Sequence, residues 1–518
     1  MQNPASCPDD IDMLKVKLAA AEQRVTAQDA RIVQLEKLLA DYKRALFGSR
    51  SEKIHPDQIQ LQLEELETAI ASVQAEADED SQPKKKDKKK RNTNRGNLPT
   101  HLPRIEVMVM PESTTCTCGH AYHQIGEDVS ERLDVIPAQF RVIVTRRPKY
   151  ACRTCEEGIT QAPAPSHIVE AGLPTEALLA HVVISKYGDY LPLYRQAQIY
   201  ARQGLELDRS TLADWMGRCA YELTPVYEAL KDHLKGSSKL FMDETVVPVQ
   251  DPGRRKTKTG YLWALARDDR AWSGAEPPGV VFTYAPSRSG TVAEAILQGF
   301  EGMLQVDGYT GYNRLQERQG SPVPLAYCWA HARRKLFEVA RNKSAPIAEQ
   351  GLRQIGQLYK IEERIRGQSA ELRHQARQQH SKPLIEAFHQ WLSTHRARVS
   401  PKCPLGKALT YIAKLWDGLT LFLTDGRIEL DSNCVERTIR PVALNRKNAL
   451  FAGHDAGGKT WAVLASLMET CKLTGINPQA YLTTTLTRIA NGHKQKRIHE
   501  LLPWNFEAAQ KQAEPECE

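Results

Sequence analysis

Three acidic residues carry the most pointed chemistry in the chain. Asp243 interrupts the apolar run Leu240-Phe-Met-Asp-Glu-Thr-Val-Val247, and Asp307 ends Met303-Leu-Gln-Val306 just before Gly308. Glu436 lies in Ser432-Asn-Cys-Val-Glu-Arg-Thr-Ile-Arg-Pro441, with Arg437, Arg440, Arg446 and Lys447 around it. A charge in an apolar strand is costly unless it is paired or binds a cation. A glutamate set among cations suits a site that holds metal while gripping a polyanion. The competing reading of Glu436 is a helix start, with Asn433 as N-cap and Glu436 at the capping-box position. Asp307 has its own alternative as the cap of the Gly308 turn, and Glu244 as a surface residue.

A second constellation is soft. Cys116-Thr-Cys118-Gly119 and Cys152-Arg-Thr-Cys155 bracket a stretch that alternates like β-strands through Val129–Val144. Four thiolates at this spacing suit a structural Zn²⁺, and they leave no open position for catalysis. His120 and His123 are near enough to replace one ligand, because the first pair is Cys-x-Cys. Arg141, Arg146, Arg147 and Lys149 supply charge to this module. Cys328 and His331 have Cys-x-x-His spacing, but no partner pair follows, so packing of that junction is expected. Eleven cysteines in a chain with no evident leader point to thiols and metal ligands rather than disulfides.

The elements that must hold these residues follow from length and periodicity. A chain of 518 residues requires several domains. Residues 11–47 carry an unbroken heptad seam from Leu14 to Leu46, which predicts a coiled coil, and 57–76 can fold back on it. The expected divisions are 11–76 coiled coil or hairpin, 77–100 basic disordered linker, and 105–165 zinc-binding module. A helical region with a helix-turn-helix outline at Leu193–Trp215 covers 170–235. An α/β unit follows in two parts, 237–334 and 428–460, split by a helical insertion at 335–427, with a helical tail at 461–510. The fold class is therefore multidomain α plus α/β. Lys+Arg exceeds Asp+Glu by 70 to 62, so clustering such as Lys84–Arg91 matters more than the net +8. Mean hydropathy is −0.48 and no apolar run of membrane length occurs, which predicts a cytoplasmic protein with no membrane partner.

The order Asp243, Asp307, Glu436 resembles the DDE transposase and integrase superfamily, and the chain is similar to the large transposase of the bacterial insertion-sequence 66 family. The resemblance rests on Met242-Asp-Glu-Thr245, Val306-Asp-Gly-Tyr-Thr-Gly-Tyr-Asn313, Cys328-Trp-Ala-His-Ala-Arg-Arg-Lys335, Ser432–Pro441 and Arg446-Lys-Asn-Ala-Leu-Phe-Ala-Gly453. It implies an RNase H-like catalytic core in which Asp243, Asp307 and Glu436 bind two Mg²⁺ ions for in-line phosphoryl displacement. It also implies cleavage at element ends by water, and strand transfer of the 3′-OH ends into target DNA. Arg437, Arg440, Arg446 and Lys447, with Arg333 and Arg334, become DNA-binding residues. The implied partners are terminal and target DNA, a second copy through the coiled coil, and accessory proteins of the same element, with nucleoid association when bound. The 129 residues between Asp307 and Glu436 are long for such a core, and the insertion accounts for them. Two other functions compete: a nuclease of the same fold that cuts without joining, and a non-catalytic DNA-binding regulator.

Overall fold

Branched and aromatic residues alternate with charges through residues 123–151, and the chain there forms a long hairpin. Strands β2 (His123–Ile136) and β3 (Gln139–Ala151) pair antiparallel. β1 (Arg104–Met108) runs parallel to β3, and β4 (Ile159–Gln161) pairs antiparallel to its far end. The computed structural model describes residues 120–136, 139–153, 158–170, 172–251, 256–318, 320–340 and 345–506, with Glu22, Leu98, 104–111, 114, 115 and 117 besides. Apart from Glu22, the expected coiled coil at 11–76 lies outside the described residues, as does the expected linker at 77–100 apart from Leu98.

Helices α1 (Glu176–Tyr187), α2 (Leu193–Ala201) and α3 (Arg209–Lys235) follow. Thr175 caps α1 by accepting from the Leu178 amide at 3.3 Å. The turn between α2 and α3 contains Gly204 at φ +77°, a left-handed conformation that favours glycine. The segment expected as a helix-turn-helix outline is thus two helices joined by a turn, the second 27 residues long.

The second sheet has the order β7-β6-β5-β8-β9. Its strands are β5 (Lys239–Asp251), β6 (Lys256–Arg267), β7 (Gly279–Ala285), β8 (Met303–Val306) and β9 (Leu325–Tyr327). β5, β6 and β7 form an antiparallel meander, whereas β8 and β9 join parallel on the other side of β5. Short helices α4 (Gly290–Ile296) and α5 (Asn313–Gln316) fill the crossovers, and α6 (Trp329–Ala340) leaves β9. The insertion is helical, comprising α7 (Pro346–Ile365), α8 (Ala370–Ala376), α9 (Lys382–Arg398), α10 (Pro404–Lys414) and α11 (Trp416–Thr420). Then come α12 (Asn433–Ala449), α13 (Asp455–Thr474) and α14 (Pro478–Ala490).

Both sheet edges are covered, which removes the pairing hazard of open strands. On one edge the Phe282 amide donates to Ser466 Oγ at 2.8 Å and the Val280 amide to Thr470 Oγ1 at 3.1 Å, both residues on α13. α13 crosses the expected boundary at residue 460, and it belongs to the core because it satisfies this edge. On the other edge α11 lies against β9, where a Cβ on Gly418 would stand 2.3 Å from the Tyr327 ring and 2.7 Å from the Leu325 carbonyl oxygen, and behind it the Trp329, Phe388 and Trp416 rings pack together. Among the described residues, no helix is long and apolar enough to cross a membrane.

Candidate active site

Strand register brings the two aspartates together. β5 and β8 are parallel, and Phe241 stands opposite Gln305. Two residues beyond that pair come Asp243, still on β5, and Asp307, the first residue past the end of β8. Neighbouring strands lie about 4.8 Å apart, so the two residues stand near each other where β8 runs out, and the charge of Asp307 acts on Asp243. Asp307 Oδ1 also accepts the Tyr309 amide at 2.9 Å, so it caps the turn as well. Gly308 in that turn is pressed on the insertion: a Cβ there would lie 2.3 Å from the Tyr411 hydroxyl of α10.

Glu436 is delivered by α12, and the segment before that helix is strapped to the sheet. Gln305, fully buried on β8, donates from Nε2 to the Glu429 carbonyl at 2.7 Å and to the Asp431 carbonyl at 3.0 Å. Its Oε1 accepts the Glu429 amide at 3.1 Å. The Trp329 amide donates to the Leu430 carbonyl at 3.0 Å, and the Ser432 amide to Cys328 Sγ at 3.3 Å. Ser432, not Asn433, is the N-cap, and the Asn433 amide is taken by Asp431 Oδ1 at 3.1 Å. The capping-box reading of Glu436 therefore fails by one position, which leaves its carboxylate for other work. Beyond α12, Ala452 pairs with β5: its amide donates to Pro248 and its carbonyl accepts from Gln250, both at 2.8 Å.

The electrostatics are those of crowded acids. The Asp243 carboxyl is pushed up to about 7, first by burial, then by the negative charges of Glu244, Asp307 and Glu436. The Glu244 amide softens this by donating to Asp243 Oδ1 at 2.8 Å. Glu244 is not a surface residue, since its side chain is 1% exposed, ion-paired with Arg288, and accepts from Tyr312 at 2.6 Å. Burial raises its own carboxyl, with Tyr312 and Arg288 opposing. Arg288 in turn lies 4.0 Å from the Tyr309 ring centre. Asp243, Asp307 and the buried Glu436 Oε1, which has no hydrogen-bond partner, fit hard divalent cations in donor type and in uncompensated charge.

Glu436 also faces soft donors. One ligand atom each from Cys328, His331 and Glu436 lies within 4.8 Å of the others, and Asp243 and Asp307 do not join that group. His331 Nδ1 and Glu436 Oε1 are 3.7 Å apart, and neither has a hydrogen bond.

The cations divide into two classes. Arg437, Arg440 and Lys447 are exposed along one stripe of α12, opposite the buried Val435, Ile439 and Val442. Arg333 and Arg334 are exposed on α6. Arg446 instead donates to the Val246 carbonyl and ties α12 to β5. In the β module the cations are taken up by neighbours: Arg141 pairs with Asp134, Arg146 with Glu106 and Glu127, and Arg147 and Lys149 with Asp128.

Of the expected zinc ligands, Cys152 is described and buried, while Cys116, Cys118 and Cys155 lie outside the described residues. His123 is registered opposite Ala151, next to Cys152, and its Nδ1 is buried without a hydrogen bond. Gln305, Arg288, Tyr312 and Tyr411 escaped sequence reasoning, because each meets its partner only across the fold.

Comparison with known families gives one consistent answer. The model described as Transposase IS66 family matches residues 171–460, and the IS66 C-terminal element matches 466–504. The zinc-finger binding domain of transposase IS66 matches 113–156, which supports a structural zinc there. Residues 34–107 match Transposase C of IS166 homeodomain. The chain is 44% identical to the uncharacterized protein y4jD of Sinorhizobium fredii, over 94% of this chain and 97% of that protein. It is 40% identical to the uncharacterized protein y4qI of the same organism, over 97% of this chain and 98% of that protein.

Proposed function

The chain belongs to the IS66 transposase family, and we propose that it cleaves DNA at element ends and transfers the 3′-OH ends into target DNA with Asp243, Asp307 and Glu436 as its catalytic set. The observation that supports this reading is that β5 and the end of β8 bring Asp243 and Asp307 near each other, with burial and neighbouring acids raising the Asp243 carboxyl to about 7 so that it calls for a cation. The antiparallel meander joined by two parallel strands supports an RNase H-like core. Bound Mg²⁺ would lower the pKa of an attacking water or hydroxyl and stabilise the leaving oxygen.

The chain's own residues do the rest. Asp243 is held by β5 and by the Glu244 amide, and Asp307 by the Tyr309 amide just past the end of β8. Gln305 sets the start of α12 and with it the reach of Glu436. Arg437, Arg440, Lys447, Arg333 and Arg334 present an exposed cationic surface beside these acids, suited to phosphates. Arg446 contributes by position instead, holding α12 on β5. Self-association through 11–76 and dependence on accessory proteins of the element belong to the same reading.

The test is a purified-protein assay on labelled element ends with Mg²⁺. Asp243→Asn, Asp307→Asn and Glu436→Gln are each expected to lower cleavage and joining by about 1,000-fold or more, since several kcal/mol of charge stabilisation are removed. End binding should persist. Near-normal cleavage in any one of these variants removes that residue from the set. Supplying pre-cleaved ends separates a transposase, which joins them, from a nuclease, which does not.

A further inference from the structure

We propose that Cys328, His331 and Glu436 form a site for a thiophilic divalent cation of the zinc class, and that its occupation holds Glu436 away from Asp243 and Asp307. The first half stands on geometry alone. The second rests on the assignment of Glu436 to the catalytic set.

The three donors are brought together by backbone, not by chance approach of long side chains. Cys328 precedes α6 and its carbonyl accepts the Ala332 amide at 3.4 Å, so His331 stands one helical turn on, beside the thiol. Glu436 comes from the start of α12. The Trp329–Leu430 and Ser432–Cys328 hydrogen bonds lock the two helix starts against each other. Both helices therefore direct their positive N-terminal ends at this point, which favours a thiolate and a carboxylate. The Ser432 amide is already in place as a donor to the sulfur, the kind of outer contact that orients metal ligands.

The ligand atoms lie within 4.8 Å of one another. Zinc bonds of about 2.0–2.3 Å in a tetrahedron put ligand atoms about 3.3–3.7 Å apart, so the set needs to close only slightly. The His331 Nδ1 to Glu436 Oε1 separation is 3.7 Å, at the edge of that range and too long for a hydrogen bond. Both atoms are buried without a hydrogen bond, and a cation between them would satisfy both. Cys328 is 2% exposed while the His331 and Glu436 side chains are 22% and 30% exposed, so a cation can enter from the His–Glu side.

The donor set is soft. Thiolate and imidazole select zinc-like ions, whereas Mg²⁺ takes oxygen ligands, so this is not the catalytic ion's site. Three protein ligands leave a fourth position for water. On binding, Cys328 gives up its thiol proton to solvent. Glu436 has one side chain for both uses, so zinc in excess opposes the hard-metal reaction.

Full-length protein, with its zinc module kept zinc-loaded, is titrated with Co²⁺. One further equivalent is expected, with thiolate-to-cobalt charge-transfer absorption. That band should vanish in Cys328→Ser, which keeps an acceptor for the Ser432 amide. Affinity should fall by about tenfold or more in His331→Gln. Asp243→Asn and Asp307→Asn should bind as the wild type does. Absence of the band in wild type, or its survival in Cys328→Ser, overturns the site; should Cys328→Ser not fold, undiminished binding by His331→Gln does so. Cleavage with Mg²⁺ should then be slowed by added Zn²⁺ in wild type and resist it in Cys328→Ser, each relative to its own zinc-free rate. Co²⁺ binding with no Zn²⁺ inhibition overturns the regulatory half. If no cleavage occurs even without Zn²⁺, the catalytic reading fails, and the Co²⁺ titration still decides the site.

Discussion

Asp243 is half-buried and feels the charges of Glu244, Asp307 and Glu436, so its carboxyl is pushed up to about 7 in the fold from 3.8 when free. The folded value is above the unfolded one, so the fold prefers the protonated form. The stability tied to that preference is fully present below about 3.8 and is lost as pH rises through about 7. In the absence of divalent cations, Asp243→Asn is therefore expected to melt higher than wild type above pH 7, with the gap narrowing as pH falls. Mg²⁺ should raise the wild type and leave the variant nearly unmoved. Thermal unfolding across pH, with and without Mg²⁺, checks this; a variant less stable than wild type above pH 7 would refute the buried-acid account. The same residue shows why part of the candidate site was legible in sequence. A charge inside Leu240–Val247 breaks an apolar run, and the break is visible without a fold. Glu436 was ambiguous because capping and ligation use one residue type, and only the observed N-cap at Ser432 separates them. The Cys328–His331 spacing was legible, but its third donor is 105 residues beyond His331 and no local pattern announces it.

At the scale of elements, the question is what holds α12 in register with the sheet. Gln305 answers most of it. An amide on a buried β-strand must be satisfied, and here its hydrogen bonds all go to the 429–431 segment. Gln305→Leu strands the Glu429 and Asp431 carbonyls and the Glu429 amide, at about 1–3 kcal/mol for each group left unpaired. Displacing α12 by about 1 Å should cost roughly 100-fold in cleavage, with end binding intact. Normal turnover in a folded Gln305→Leu protein would show that the strap is dispensable. A second contact, at Gly308, joins the Asp307 turn to the insertion. Gly308→Ala drives a methyl into Tyr411 and Leu415, and overpacking of this kind costs about 1–3 kcal/mol. Tyr411→Phe in the same chain removes the atom of closest approach, so the double variant should recover part of the loss. The helical character of 335–427 was expected from the sequence. The order of those helices in space was not, because Gly308 and Tyr411 are distant in sequence and glycine does not declare which neighbour it admits.

Across the whole molecule the insertion braces the start of the helix that carries Glu436, and Arg377 is its pivot. Its side chain is fully buried on the segment between α8 and α9, and it forks onto Glu362 of α7 at 2.8 and 2.7 Å. The remaining donors reach the Phe422, Asp425 and Ile428 carbonyls at 2.9, 3.1 and 2.8 Å. Arg373 completes the link by pairing with Glu362 and with Glu429, the residue whose backbone Gln305 holds. A continuous set of contacts thus runs from the insertion through 422–431 to α12. Removing one partner of a buried pair leaves an uncompensated charge, so Arg377→Ala should destabilise the protein by about 3–5 kcal/mol. The loss should be local before it is global, because β5 and β6 pair along eleven residues without help from Arg377. Hydrogen exchange is expected to show amides of 422–436 opening in Arg377→Ala while those of β5 and β6 stay protected. Cleavage should fall with that opening even at temperatures where the sheet is intact. Uniform loss of protection across sheet and insertion would mean instead that the two parts fold as one unit, and that the insertion serves the core as a whole and not Glu436 in particular.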